Sequence, residues 1–190
     1  QIIARSSGRL SGDMRSRSMA AIDGDSTTYW TPEFLEQKGQ WVSYTLPNNI
    51  AFNDVELRIV ADGRHSVPTE LKLTVGDKEV FLSIPKIEDG SEVGHSVVVP
   101  VDLPQTFEGN EIKLEVTKVR EIKTKNWYTG QQVVLPVAIS EIGIEGLLAP
   151  TLLETFDTGC RDDLLQIDGI PIQIRITGKT SDALNGIGLK

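Results

Sequence analysis

The chain has 190 residues, 39% of them hydrophobic, which suffices for one well-packed domain with or without part of a second. Its formal net charge of −8 argues against a nucleic-acid partner, because a phosphate backbone is bound through an excess of lysine and arginine. The single cysteine, Cys160, excludes an internal disulfide; it either pairs with a cysteine outside this sequence or is a buried thiol.

Residues 1–19 are rich in Ser, Arg and Gly and read as an entry segment, with a short helical turn expected over residues 16–21. Residues 20–30 then bring Asp23, Asp25, Ser26, Thr27 and Thr28 around Gly24 and close on Tyr29 and Trp30. A glycine lets the backbone curl and aim its carbonyls inward. With Asp23, Asp25, Thr28 and the carbonyls of Ala20 or Ala21, the loop offers the hard oxygens of a calcium site, which needs about six to eight of them. The spacing is not that of an EF-hand, and an acidic Asx-turn without metal is the alternative.

From Trp41 onward, apolar residues recur with period two, the mark of half-buried strands. Val42, Tyr44 and Leu46 form one set; Val55, Leu57 and Ile59 a second; Leu71, Leu73 and Val75 a third. Val97, Val99 and Val101, then Ile112, Leu114 and Val116, form two more. Turn signals separate them at Pro47-Asn48-Asn49, Asp62-Gly63, Gly76-Asp77, Asp89-Gly90 and Gly109-Asn110. No stretch holds a helical period, so the pattern predicts an all-β antiparallel sandwich of jelly-roll type. Trp30 and Trp41 lie in or beside apolar patterns and are expected in its core.

A boundary is expected near Gly146 to Pro150, giving a sandwich over 1–148 and an extension over 149–190. The extension contains a hairpin signal, Asp168-Gly169 between apolar runs, with Pro171 disturbing the start of the second strand. A lone hairpin is marginal in water, so the extension either docks on the sandwich or opens a second β domain.

Catalytic constellations are scarce. No Gly-x-Ser-x-Gly occurs, and His65 and His95 are each followed by a serine that a strand would point to the opposite face. The two histidines and one cysteine lack zinc spacing, and no glycine-rich phosphate loop is present. A glycosidase needs only two placed carboxylates, which 27 acidic residues leave open. Binding is better supplied. Trp127 and Tyr128 lie between strands beside Asn126, Thr129 and Gln131, a set suited to stacking on a sugar and bonding its hydroxyls. Arg64 and His65 lie in another inter-strand loop as polar neighbours. The alternatives are that Trp127 plugs the end of the sandwich and that Arg64 pairs with Asp62.

The stretch Ala-x-Asp-Gly-Asp-x-x-Thr-x-Trp, followed by Gly39-Gln40-Trp41-Val42-Ser43-Tyr44-Thr45-Leu46, resembles the opening of discoidin-like (coagulation-factor type C) domains and family 32 carbohydrate-binding modules. That resemblance implies a galactose-binding-like sandwich over roughly residues 1–148. It also implies that Glu141, in Ala138-Ile139-Ser140-Glu141-Ile142, reaches back to the calcium. The segments ADGRHSVPTEL, KNWYTGQQVVLPVAISEIGIEG and CRDDLLQIDGIPIQIRITG are similar to the extracytoplasmic region of the actinobacterial α-(1→3)-arabinofuranosyltransferase family. This second resemblance covers nearly the whole chain. It implies a non-catalytic carbohydrate-binding module of a polytopic membrane glycosyltransferase, with cell-wall arabinan and the rest of the parent as partners. No signal peptide and no run of about 18 apolar residues occurs, so the expectation is an extracytoplasmic piece separated from its membrane anchor. A scaffold domain that has lost its ligand site, and less favourably a hydrolase, are the competing functions.

Overall fold

The structure, a computed structural model, describes residues 2–13, 15–34 and 36–187. The chain divides into two compact units, residues 1–150 and 151–190. The first unit begins with β1 (Ile3–Ser6) and a 3₁₀ turn (Ser18–Ala21). It continues through β2 (Trp41–Val60), β3 (Val67–Val75), β4 (Lys78–Ser83) and β5 (Ser96–Arg120). The short hairpin of β6 (Lys123–Lys125) and β7 (Gln132–Val134) follows, and then β8 (Ile139–Gly143). The main sheet has the order β1-β2-β5-β3-β4, with β8 also paired to β2, and all these pairings are antiparallel.

Two expected turns are not turns. Pro47-Asn48-Asn49 lies inside the 20-residue β2, and Gly109-Asn110 inside the 25-residue β5. The β2–β5 register slips between Thr45 and Ile50 and again between Phe52 and Asp54. Pro47 has no N–H for a ladder, so pairing lapses there while the strand continues around a corner. Asn110 Nδ2 donates to the Leu46 carbonyl at 3.2 Å and bridges the gap. Beyond the corner the same two strands pair again, with β8 now on the far side of β2. One half of each long strand therefore serves each layer of the sandwich.

The alternating apolar sets fill one core. Tyr44, Leu57, Ile59, Leu71, Leu73, Ile112, Leu114 and Ile139 are almost completely buried. Each such side chain adds roughly 1.5–3 kcal/mol over an exposed position. Trp30 is 0% exposed, and its Nε1–H donates to the Gly8 carbonyl at 3.1 Å. Trp41 departs from expectation: it is half-buried on the opposite face of β2 from Val42 and Tyr44, with Lys113 Nζ 5.2 Å from its ring centroid. The strand period requires this, since odd positions of this segment point away from the core.

The second unit contains β9 (Thr155–Asp157), β10 (Gln166–Ile167), β11 (Ile170–Pro171), β12 (Thr177–Lys179) and the short α1 (Thr180–Leu184). Asp168 and Gly169 both have positive φ, 52° and 78°, as a two-residue hairpin turn requires. Pairing resumes directly after the turn, so Pro171 stands opposite Gln166 inside the hairpin instead of ahead of it. The ladder extends outward through Arg161 and Ile174 to β9 and β12. Cys160 is exposed and not the buried thiol that one reading allows. No described residue of this unit is buried. Among the described residues of the chain, no helix is long and apolar enough to cross a membrane.

Candidate functional site

The loop of residues 20–30 follows the 3₁₀ turn and ends where Trp30 pairs with Ile139 of β8, exchanging hydrogen bonds of 2.9 and 3.0 Å. Gly24, at φ 76°, makes the curl. Thr28 Oγ1 lies at its centre, 2.9 and 3.0 Å from the two Asp23 carboxylate oxygens, 3.0 Å from the Asp25 carbonyl and 3.5 Å from the Ala20 carbonyl. A hydroxyl has one proton, so it can donate to only one of these acceptors at a time. The rest face it oxygen to oxygen, an arrangement that a hard cation relieves.

Glu141 comes to this loop from β8. Its Oε1 is buried without a hydrogen-bond partner. Burial pushes its carboxyl up to about 7; the Gly24 N–H opposes this, the Asp23 charge adds to it, Arg58 opposes it and Asp25 adds again. An orphaned buried carboxylate oxygen beside a crowd of acceptors fits a calcium ion, which takes oxygen ligands only. Among the described residues no group of three or more acidic, histidine or cysteine side chains is gathered for a metal. The fit here rests on two carboxylates, Asp23 and Glu141, completed by Thr28 and main-chain carbonyls. Asp25 takes part differently from the sequence expectation. Its Oδ1 accepts from the N–H and hydroxyl of Thr27 at 2.9 and 2.6 Å, and it is its carbonyl that lies 3.0 Å from Thr28 Oγ1 at the centre of the loop.

Trp127 and Tyr128 stand at the tip of the β6–β7 hairpin, 81% and 79% exposed. The ring centroids are 3.8 Å apart. Trp127 therefore does not plug the sandwich. Asn126 Oδ1 accepts from the N–H groups of Tyr128 and Thr129, at 2.9 and 3.1 Å, which builds the turn and leaves its NH₂ as the free end. Gln131 closes the loop through its carbonyl, which accepts from the Asn126 N–H at 2.8 Å. This hairpin joins the sandwich beside the Arg64–His65 loop: Ser66 Oγ accepts from the Ile122 N–H at 2.9 Å, and the Ser66 N–H donates to the Pro136 carbonyl at 3.0 Å.

Arg64 and His65 behave differently from each other. The Arg64 side chain is exposed, and its main-chain N–H, not its guanidinium, bonds Asp62 Oδ1 at 2.9 Å. His65 Nδ1 lies 3.0 Å from the same oxygen, and the Gly94 N–H donates to Asp62 Oδ2 at 2.9 Å. Burial raises the Asp62 carboxyl, but the bonds from Gly94, His65 and Arg64 outweigh it and hold the group below its usual range. His65 also meets the edge of Tyr29 at 5.3 Å between centroids. Among the described residues, no hydrogen bond or ring contact joins His65 or Arg64 to the Trp127–Tyr128 pair. His65 is part of a wall between the Asp62 turn and the oxygen-lined loop. Tyr29, expected with Trp30 to close the loop, completes that wall through its contact with His65, which the sequence does not signal.

No protein-family model and no curated protein matches the chain. Among solved structures it is similar to the family 32 carbohydrate-binding module of NanJ from C. perfringens, solved with galactose. Identity is 16% and the TM-score 0.51, over 75% of this chain and 92% of that one. The fold is thus a galactose-binding-like β-sandwich of the carbohydrate-binding-module kind. Over nearly its whole length the chain is similar to arabinofuranosyltransferase AftD from mycobacteria, with 20% identity and a TM-score of 0.68. A mutant form of that enzyme gives 22% and 0.67. Each match takes in 97% of this chain but 14% of the enzyme chain, so the likeness is to a small part of a large protein.

Proposed function

We propose that this chain is a non-catalytic carbohydrate-binding module that binds an arabinan-type cell-wall glycan, as an extracytoplasmic portion of a membrane glycosyltransferase. The exposed Trp127–Tyr128 pair carries the reading. Two adjoining aromatic rings standing in water at a hairpin tip are costly unless they receive a ligand, and inter-strand loops are where a sandwich presents function. The free NH₂ of Asn126 and the Gln131 amide supply polar partners beside the rings, and the exposed Arg64 lies in the loop against which the base of the hairpin is bonded. A structural calcium ion would be held by the Ala20 and Asp25 carbonyls, Asp23, Thr28 and Glu141. There it would share Asp23 with the Arg17 guanidinium, 3.4 Å away, neutralise Glu141 and tie the first loop to β8.

A carboxyl held near 7 beside another carboxylate is also what a glycosidase acid requires. Glu141 does not suit that role, because its orphaned oxygen is buried, whereas a general acid must reach the glycosidic oxygen. The test is titration calorimetry with soluble arabinan. A shallow site of this kind binds with a Kd on the order of 0.1–10 mM. Trp127→Ala is expected to abolish binding and leave the melting temperature unchanged. An unfolded variant, or undiminished binding, overturns the site; absence of binding by the wild-type chain to any glycan favours a scaffold domain.

A further inference from the structure

The outer face of the main sheet carries a second constellation, built by strand register. Arg5 of β1 pairs with Ser43 of β2, Ser43 with Lys113 of β5, and Lys113 with Thr74 of β3. Directly paired residues of antiparallel strands project from the same face, so these four side chains form one row across four strands. Thr45, opposite Glu111, and Trp41, opposite Glu115, lie in the rows on either side. All of these except Glu115 line an open cavity of about 460 Å³. The core-facing side chains of the same stretch, Val42 and Tyr44, point the other way.

What distinguishes this face from an ordinary solvated sheet is the convergence of unused groups on an aromatic. The Arg5 guanidinium, the Trp41 indole N–H and the hydroxyls of Ser43, Thr45 and Thr74 have no hydrogen-bond or ion-pair partner among the described residues. Lys113 is engaged: its Nζ bonds Glu115 at 2.8 Å and lies against the Trp41 ring, which steadies the indole at the edge of the cavity. We propose that this groove is a second carbohydrate-binding site, one that takes an internal segment of a neutral oligosaccharide. The guanidinium fork matches a pair of vicinal hydroxyls, and the serine and threonine hydroxyls both donate and accept. The indole offers an apolar edge to sugar C–H groups. Across this face Arg5, Lys72 and Lys113 are set against Glu79, Glu111 and Glu115, with Lys72 and Lys113 both paired to Glu115, so the face holds no net charge to favour an anion. Its volume falls within the range of about 300–1,000 Å³ found for small-molecule sites, and its open ends admit a chain passing through.

This site is independent of the Trp127 hairpin and shares only its ligand class. The groove runs toward the Gly76 end of β3, whereas the hairpin leaves from the Arg120 end of β5. The two are therefore separable by substitution. The experiment titrates wild type, Trp127→Ala, Trp41→Ala and Arg5→Ala with soluble arabino-, galacto- and gluco-oligosaccharides, read by calorimetry and tryptophan fluorescence. Folding is checked by thermal melting, and the exposed Arg5 supplies a variant that keeps the core intact. Expected is a binding event that survives Trp127→Ala, shifts fluorescence in that variant through Trp41, and weakens about tenfold or more in Arg5→Ala. If Trp127→Ala alone removes all binding, the groove proposal fails and the hairpin reading stands. If Trp41→Ala and Arg5→Ala alone remove it, the reverse holds. A folded Trp41→Ala or Arg5→Ala variant with undiminished affinity, or no binding of any of the three classes to Trp127→Ala, overturns the groove.

Discussion

At the scale of single residues, Asp23 and Asp25 part company although only Gly24 separates them. Asp23 turns its carboxylate to Thr28, while Asp25 turns its own to Thr27 and presents a carbonyl. Asp23→Asn should therefore remove the rise in melting temperature that calcium produces, and Asp25→Asn should retain most of it. For the intact site, calcium at about a hundred times its Kd adds about 2.7 kcal/mol. The same melts carry a pH signature through Glu141, whose folded pKa of about 7 lies above its ordinary 4.5. Between those values the metal-free folded state binds more protons than the unfolded state, so its stability falls as pH rises. Calcium binds the ionised form, so the gain it gives should be small near about pH 5 and full near about pH 8. An equal gain at both would remove Glu141 from the ligand set. The oxygen-lined loop itself was legible because residues 20–30 display its acidic and hydroxyl side chains in one stretch. Glu141 entered only through resemblance, and the Asp62–His65–Tyr29 wall not at all, since ring contacts between distant positions leave no periodic trace.

At the scale of elements, period two located the strands but not their ends. Proline and asparagine at 47–49 carry the composition of a turn whether the chain reverses or only rounds a corner, and only the register separates the two cases. The Asp168-Gly169 hairpin was legible because both residues tolerate the positive φ that such a turn imposes. Gly146, just after β8, reads in the sequence only as the start of a boundary, yet it has φ 84° and its missing Cβ would stand 2.9 Å from Ile50 Cγ2. Gly76, in the β3–β4 turn, has φ 56° with open space around it. Gly146→Ala should thus cost about 1–3 kcal/mol, more than Gly76→Ala, which meets only the backbone penalty. Urea unfolding of both variants compares them; equal midpoints would show that Ile50 gives way freely.

At the scale of the whole molecule, the two units differ in what holds them. The first has a continuous core, whereas the second leaves Leu152, Leu153, Leu164, Leu165, Ile167 and Ile170 exposed. Ordering backbone costs about 1–2 kcal/mol per residue, and a unit with no buried residue has little to offset it. Residues 149–190 expressed alone should show no cooperative thermal transition, while residues 1–150 should melt sharply. A sharp transition in the short piece would make it a domain in its own right.

The oxygen-lined loop lies near the start of the first unit and Glu141 near its end, with both long bent strands between them. The site can therefore close only after nearly all the distant pairings have formed. Topologies of this kind cross their folding barrier slowly, and contacts made after the barrier act on the reverse rate. Calcium should leave the refolding rate of residues 1–150 almost unchanged and slow their unfolding, so that the ion prolongs the lifetime of the folded module without hastening its assembly. Stopped-flow traces with calcium and with chelator measure both limbs. An accelerated refolding limb would mean that the loop gathers its oxygens before β8 arrives.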